Sequence, residues 1–272
     1  MLTATRMRDT SADDAATGLA ALVTEVTRDA TAAGPAPRLL PHLWLEHASG
    51  TSATLLDGLW TRGIFRKYEH VLEVGAGLGG HARWMVARLG CTVVGTTRDY
   101  TEAAAGMDLT RRTGVRGHIE LVPADAAGLP FRDARFTHVW YVEALPRIAD
   151  VDAACAEARR VLRPGGYLAL QELVPHAGAA PPALAGWRFA DAAVRVAALE
   201  AAGFVEVVVR DVTRDAAERT ARVQHARARL AARLAASSSP ALRAVGTERD
   251  ALARLLADGV LHVVQMSARR AA

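Results

Sequence analysis

The 272-residue sequence is poor in cysteine, lysine and aromatic residues. Its two cysteines, Cys91 and Cys155, lie far apart in no metal-type spacing, which argues against a disulfide framework or a zinc site. Two buried, reduced thiols in a cytoplasmic protein are the expectation. Lys67 is the single lysine, so the formal charge of +4 rests on arginine. The arginines are dispersed among Asp and Glu, not gathered into the basic stripe of a nucleic-acid binder. The densest group, Arg210 to Arg233, is interrupted by Asp211, Asp215 and Glu218 and reads as a solvated helix face. No apolar run approaches the ~20 residues that span a bilayer. The N-terminal stretch carries Arg6, Arg8, Asp9, Asp13 and Asp14 and lacks the apolar core of a secretory signal. Neither a nucleic acid nor a membrane is therefore an expected partner.

What remains is ordinary for a globular chain: 51% hydrophobic and 23% charged residues. The length suits one large α/β domain, or one domain with a small cap. Residues 1–11 read as disordered. Residues 13–33 read as a helix, with Leu19, Leu22, Val23 and Val26 at helical spacing and Gly34-Pro35 ending it. A second helical stretch, 51–65, carries Leu55, Leu56, Leu59 and Trp60 on one face. From residue 70 short apolar runs alternate with helical ones. Strands are expected at 70–74, 92–95, 119–122, 137–142, 167–172 and 204–210, with a last one at 259–267. Helices are expected at 80–89, 101–113, 151–162 and 187–201. A long arginine-rich helical region, about 213–258, is divided by Ser237-Ser-Ser-Pro240. This βαβα alternation predicts a doubly wound, mostly parallel sheet with helices on both faces. Residues 1–65 would form an N-terminal helical cap and 66–272 the α/β domain, with 213–258 as its helical insertion.

The strongest local signal is Val71-Leu-Glu73-Val-Gly75-Ala-Gly77-Leu-Gly79-Gly80. A buried strand enters a tight glycine turn and leaves as a helix, whose N-terminus offers free N–H groups. The Gly75-x-Gly77-x-x-Gly80 spacing also satisfies a dinucleotide fingerprint. Two features favour another ligand. Glu73 stands where a carboxylate can face an ammonium and would repel a pyrophosphate. The second strand ends Gly95-Thr-Thr97-Arg98, without the acid that would hold a nicotinamide dinucleotide's ribose.

At this point the residues resemble a family. Val71 to Gly80 is similar to the first motif of class I S-adenosylmethionine (SAM)-dependent methyltransferases. The likeness runs in register from about His70 to Glu172. Gly90 to Thr97 resembles the second-strand motif, and Val122 to Phe131, with Asp125 and Ala126, the acidic loop after the third strand. Phe136 to Glu143 resembles the fourth strand and its exit, and Val161 to Tyr167 the turn into the fifth. The resemblance implies a seven-stranded Rossmann-like sheet and SAM as cofactor. By position, Gly75 and Gly77 would let the backbone pass the methionine part of SAM, with Glu73 holding its amino group. Thr97 would sit at the ribose, and Asp125, with Ala126 beside it, at the adenine. Two departures stand out. Thr97 takes the place of the family's ribose-binding acid, with Asp99 two residues late, as in subgroups resembling the cyclopropane-fatty-acid and sterol methyltransferases. Arg147 stands near the place where many small-molecule members have a histidine.

Methyl transfer is an in-line displacement, so the protein must hold a nucleophile behind the methyl group and exclude water. A base is needed only if the acceptor must lose a proton. Ligands of such folds lie outside the carboxyl ends of the strands. His176, after the fifth strand, is the first-choice base. Glu143 is a proton acceptor or a partner for a cationic substrate. Trp140 and Tyr141 are expected to wall an acceptor pocket, as is Trp44 in the cap segment, where His42 and His47 are second-choice bases. His138 reads as a core histidine and His81 as a capping or surface one. The resemblance thus implies methyl transfer to a small molecule, in secondary metabolism, by a protein for which a homodimer is left open. A SAM-binding, non-methylating cyclase remains an alternative on the same fold. A nucleic-acid methyltransferase is disfavoured: the fourth strand exits as Trp140-Tyr-Val-Glu143, not as Asn/Asp-Pro-Pro-aromatic.

Overall fold

A computed structural model describes residues 15–24, 58–59, 63–66, 69–113, 115, 118–221 and 224–272. The expectations for Trp44, His42, His47, residues 1–11 and most of the 51–65 helix fall outside these residues.

Seven strands form one sheet in the order β3-β2-β1-β4-β5-β7-β6. They are β1 (His70–Val74), β2 (Thr92–Thr97), β3 (Ile119–Pro123), β4 (Phe136–Val142), β5 (Leu162–Pro175), β6 (Phe204–Asp211) and β7 (Leu261–Arg270). All pairings are parallel except those of β7, which runs antiparallel to both β5 and β6. This is the doubly wound sheet that the alternating pattern predicts. The helices are α1 (Gly80–Leu89), α2 (Tyr100–Thr113), α3 (Val151–Val161), α4 (Ala192–Ala201), α5 (Thr213–Ala221), α6 (Gln224–Ala235) and α7 (Pro240–Ala257). The last three form the helical region between β6 and β7. Ser239 caps α7, with Pro240 in its first turn, which is why the Ser-Ser-Ser-Pro stretch divides this region.

The central strands are covered on both faces, which explains their unbroken apolar runs. On one face Leu72, Val74, Val139 and Tyr141 pack against Ala154, Cys155 and Ala158 of α3 and Leu199 of α4. On the other, Val71, Val93 and Trp140 meet Ala82, Met85 and Val86 of α1, together with Phe65 and Leu59. Cys91 and Cys155 are both free and buried. Residues 15–24 are helical. Their Leu19, Leu22 and Val23 pack against Leu230 and Leu234 of α6 and Leu242 of α7, and Ala20 packs against Leu78 and Leu109.

Two boundaries differ from the sequence reading. The fifth strand is 14 residues long, because nine of its residues, Tyr167 to Pro175, pair with the equally extended β7. The helix expected from 187 starts at Ala192, after Asp191 in an extended conformation. Before it, the Arg188 N–H donates to the Pro146 carbonyl and Trp187 and Phe189 stack, which holds 187–189 as an ordered extended segment. No helix among the described residues is long and apolar enough to cross a membrane.

Candidate active site

In the strand order, β2 and β4 flank β1 on opposite sides. The chain leaves β1 toward one edge of the sheet and returns as β4 toward the other, so a crevice opens between the carboxyl ends of β1 and β4. A cavity of about 2090 Å³ lies there. Its lining includes Gly75 to Leu78, Thr96 to Tyr100, Asp125, Ala126, Glu143 and Ala144. Thr17 and Ala20 of the N-terminal helix and Val245 and Glu248 of α7 close it from other sides.

The glycine turn is built against two neighbours. Gly75 has φ +75°, and a Cβ there would lie 2.7 Å from the Ala144 Cβ. Gly77 has φ +53°, and a Cβ there would meet nothing within 4 Å. So Gly75 is required by the close approach of the β4 exit, and Gly77 leaves the backbone open to a ligand. Thr96 fixes the turn from β2: its hydroxyl oxygen accepts the Gly75 N–H at 3.1 Å and its carbonyl accepts the Ala76 N–H at 2.7 Å.

Glu73 is 1% exposed, on the α1 face of the sheet. Its Oε1 lies 3.2 Å from Nδ1 of His81, which is fully buried. The other oxygen, Oε2, is buried with no hydrogen-bond partner among the described residues. A buried carboxylate oxygen left in this state costs on the order of 1–3 kcal/mol, so it calls for a donor from a ligand or a bridging water. His81 is thus not the capping or surface histidine expected of a helix start.

Thr97 is 2% exposed and its hydroxyl donates to the Asp99 carbonyl at 3.0 Å. Asp99 accepts the Glu102 N–H at 2.8 Å through Oδ1, opening α2. The end of β2 therefore has a threonine tied to its own turn and a carboxylate beside it on the cavity wall. Asp125 is exposed; its Oδ1 accepts the Ala127 N–H at 3.0 Å, and Ala126 beside it is buried. Tyr100, 80% exposed at the start of α2, lines the same stretch of cavity.

Glu143 follows β4 with φ +55°, a conformation that a non-glycine residue holds at a cost. It is 6% exposed and lines the cavity. Its N–H donates to the Gln171 carbonyl at 2.7 Å, and Gln171 Nε2 approaches its Oε1 at 3.4 Å. Gln265 in turn donates to Gln171 Oε1 at 3.1 Å. Burial lowers the Arg227 pKa, and the Glu143 carboxylate opposes that shift.

Three sequence expectations are corrected. Trp140 and Tyr141 do not line the cavity; both are fully buried, on opposite faces of the sheet. The Tyr141 hydroxyl donates to the Ala154 carbonyl at 3.0 Å, and burial raises its pKa well above 10. Trp140 packs edge-on against Phe65. His176 is exposed beyond the end of β5, its ring stacked on His262 at 4.8 Å, and it does not line the cavity. His138 is the core histidine expected, with Nε2 3.2 Å from the Ile64 carbonyl.

Four contributors were not singled out from the sequence: Thr96, Tyr100, Ala144 and Glu248. Only Thr96 had a local signal, as the residue before Thr97 at the end of β2. Arg147, in the loop after β4, lines the cavity with Trp187. Its guanidinium lies 5.0 Å over the Trp187 ring, and its NH1 is 2.8 Å from Glu248 Oε1.

Residues 72–170 match the family model described as a methyltransferase domain. Methyltransferase GfsG of Streptomyces halstedii is 36% identical over 104 residues, 38% of this chain and 37% of that protein. Sterol 24-C-methyltransferase of Eremothecium gossypii is 35% identical over 104 residues, 38% of this chain and 28% of that protein. The chain therefore spans about a third of the length of these curated relatives, 37% of the first and 28% of the second. Among solved structures, the [4+2]-cyclase SpnF aligns with a TM-score of 0.64 and 24% identity, covering 80% of each chain. Geranyl diphosphate C-methyltransferase of Streptomyces coelicolor A3(2), in complex with Mg2+, geranyl-S-thiolodiphosphate and S-adenosyl-L-homocysteine, aligns with a TM-score of 0.62 and 19% identity. That alignment covers 82% of this chain and 76% of the other. At these identities the structures speak for the fold, and over residues 72–170 the chain is similar to a methyltransferase domain.

Proposed function

We propose that this protein transfers a methyl group from SAM to a small-molecule acceptor, in the biosynthesis of a natural product. The observation that carries the reading is the opening at Gly77, where the backbone of the glycine turn faces a cavity with nothing in the way of a ligand. The residues around it suit SAM part by part. Glu73, with its unpaired buried oxygen, suits the ammonium of the amino-acid portion. Thr97 and Asp99 suit the ribose, and Asp125 with Ala126 the adenine. The cavity is about 2090 Å³, while sites for one small ligand run to roughly 1,000 Å³, which leaves room for an acceptor beside the cofactor.

When bound, SAM supplies an electrophilic methyl group on a sulfonium. The chain's part is to hold the acceptor in line behind it and to keep water out. The N-terminal helix, α7 and the Arg147–Trp187 pair stand around the cavity for that purpose. Glu143, which lines the cavity, is read as the residue that takes a proton from the acceptor or binds a cationic one, in preference to His176, which does not line it. In keeping with its two buried thiols, the enzyme is read as cytoplasmic.

The test is transfer of labelled methyl from SAM, using the purified protein and a fractionated extract of its source cells. Label in a small-molecule fraction is the expected result and identifies the acceptor. Label in RNA or protein overturns the acceptor class. No label in any fraction, with SAM binding established by calorimetry, overturns methyl transfer in favour of a non-methylating cyclase.

A further inference from the structure

We propose that His81 is a positioning residue for Glu73: it holds one carboxylate oxygen so that the other serves the ammonium of the ligand's amino-acid portion. The proposal rests on the SAM reading above and adds to it a residue that makes no contact with the cavity itself.

The argument starts from the burial of both groups. Glu73 and His81 are 1% and 0% exposed, and their Oε1···Nδ1 separation is 3.2 Å. A glutamate near the end of a central strand has three side-chain torsions and, when buried, no solvent to satisfy its oxygens. Its orientation is therefore set by whichever donor reaches it, and among the described residues that donor is His81. The imidazole is itself fixed. It lies parallel to the Trp84 indole one helical turn on, with 6.2 Å between centroids and 10° between planes. It also packs on Trp140 of β4 at 5.2 Å. The Nδ1 of the ring packed against these two indoles lies 3.2 Å from Glu73 Oε1.

What that leaves is directional. Oε2 is buried and has no partner among the described residues. Glu73 is not itself on the cavity wall; the lining begins at the next residue, Val74, and runs on through Gly75 to Leu78. A positively charged donor, directly or through one water, completes the carboxylate. Without His81 the carboxylate would turn between rotamers, and the ammonium would have to order it on binding.

The experiment compares two ligands. S-adenosylhomocysteine carries the amino-acid portion; 5′-methylthioadenosine keeps the adenosine and lacks it. In His81→Phe, which keeps an aromatic ring between the indoles but has no donor, S-adenosylhomocysteine affinity is expected to fall about tenfold or more, the loss of one charge-assisted hydrogen bond. Methylthioadenosine affinity is expected to stay within about twofold of wild type. Glu73→Gln should show the same selective loss, and the double variant should lose no more than the worse single one. His81→Asn, whose side-chain amide can occupy the Nδ1 position, should recover most of the difference; it and Glu73→Gln carry the test if the phenylalanine variant does not fold. Parallel losses for both ligands, or no loss in S-adenosylhomocysteine affinity, would overturn the proposal and make His81 a packing residue. A wild-type protein that binds neither ligand would instead overturn the SAM reading on which it rests.

Discussion

Gly75 and Gly77 stand two residues apart in one turn, yet the structure assigns them different tasks, and a pair of alanine substitutions separates these. Both residues have positive φ, where an alanine costs about 1–2 kcal/mol in backbone strain. At Gly77 that is the whole cost, because the added methyl meets nothing within 4 Å. For a chain of this size, about 1 kcal/mol lowers the melting temperature by roughly 2–4 °C. At Gly75 the methyl lands 2.7 Å from the Ala144 Cβ, in a part of the core where Ala144 is 7% exposed. Overpacking of that kind adds about 1–3 kcal/mol, so Gly75→Ala should melt roughly 5–15 °C below wild type. Adding Ala144→Gly should return the overpacking share and leave the strain. Ligand affinity should rank the other way. The Gly77 methyl projects into the space assigned to SAM, and overlap worth about 1–3 kcal/mol weakens binding by roughly tenfold to a hundredfold. Melting scans and titration calorimetry with SAM read both quantities on the same preparations. Gly77→Ala with unaltered SAM affinity and a small drop in melting temperature would refute the reasoning: the glycine would then serve backbone geometry alone, and the turn would lose its cofactor assignment.

Two further outcomes follow from the same geometry. Asp125→Ala should weaken SAM binding about tenfold, by loss of an acceptor for the adenine amino group, and lower the melting temperature little, since Asp125 is exposed and holds one turn N–H; calorimetry that shows no change in affinity removes it from the adenine position. The pH dependence of stability contains two opposed slopes. Burial raises the Glu172 pKa from 4.5 to about 7 despite Arg195 Nε at 2.8 Å, so its protonated form favours folding and stability is lost as pH rises from about 4.5 through 7. Burial lowers the His138 pKa from 6.5 to about 4, so its neutral form favours folding and stability is lost as pH falls from about 6.5 through 4. Glu172→Gln should therefore remove the first slope, and its melting temperature should climb from pH 4.5 to 6.5 more steeply than that of wild type. Parallel curves for the two proteins would show that Glu172 does not titrate in this range.

The cofactor side of the site was legible because it is local. Val71 to Gly80 holds a strand, a turn and a helix start in ten residues, and the glycines are there for reasons that act over two or three bonds. Of the misplaced residues, His176 turns on a feature set at long range, while Trp140, Tyr141 and His81 turn on which side of its element a residue faces. Trp140 and Tyr141 were read together as one pocket wall, but adjacent residues of a strand point to opposite faces. In a strand covered on both sides they enter two different cores, and Tyr141 spends its hydroxyl on the Ala154 carbonyl. His176 was placed near the site because the fifth strand was read as ending at residue 172. Antiparallel pairing with β7 carries it to Pro175, and the histidine emerges past the cavity against His262. No local pattern contains that partner, which lies more than eighty residues further along. His81 was read as a helix-start histidine with a wet surface, although Trp84 three residues later marks the same side of α1 as apolar.

The division between the two halves of the site has a physical origin. The switch point between β1 and β4 fixes where a ligand can enter, and the turns leaving β1, β2 and β3 meet one side of it with their backbones and short side chains. That half is determined by the parallel sheet alone. The other half is assembled from residues 17–24, from Trp187 after the fifth strand, and from Val245, Glu248 and Arg249 of α7, which share no sheet register with one another. Their mutual placement depends on packing such as Leu19, Leu22 and Val23 against Leu230, Leu234 and Leu242, and on the Arg147–Glu248 pair. An exposed ion pair of that kind contributes at most about 1 kcal/mol, and the apolar contacts are the common currency of any helix pair. Neither leaves a residue pattern that specifies an acceptor. On the function proposed above, changes in α7, in the 15–24 helix or at the Arg147–Trp187 pair can alter which molecule is accepted without disturbing Gly75, Gly77 or Asp125, so among the described residues acceptor choice is to be sought there.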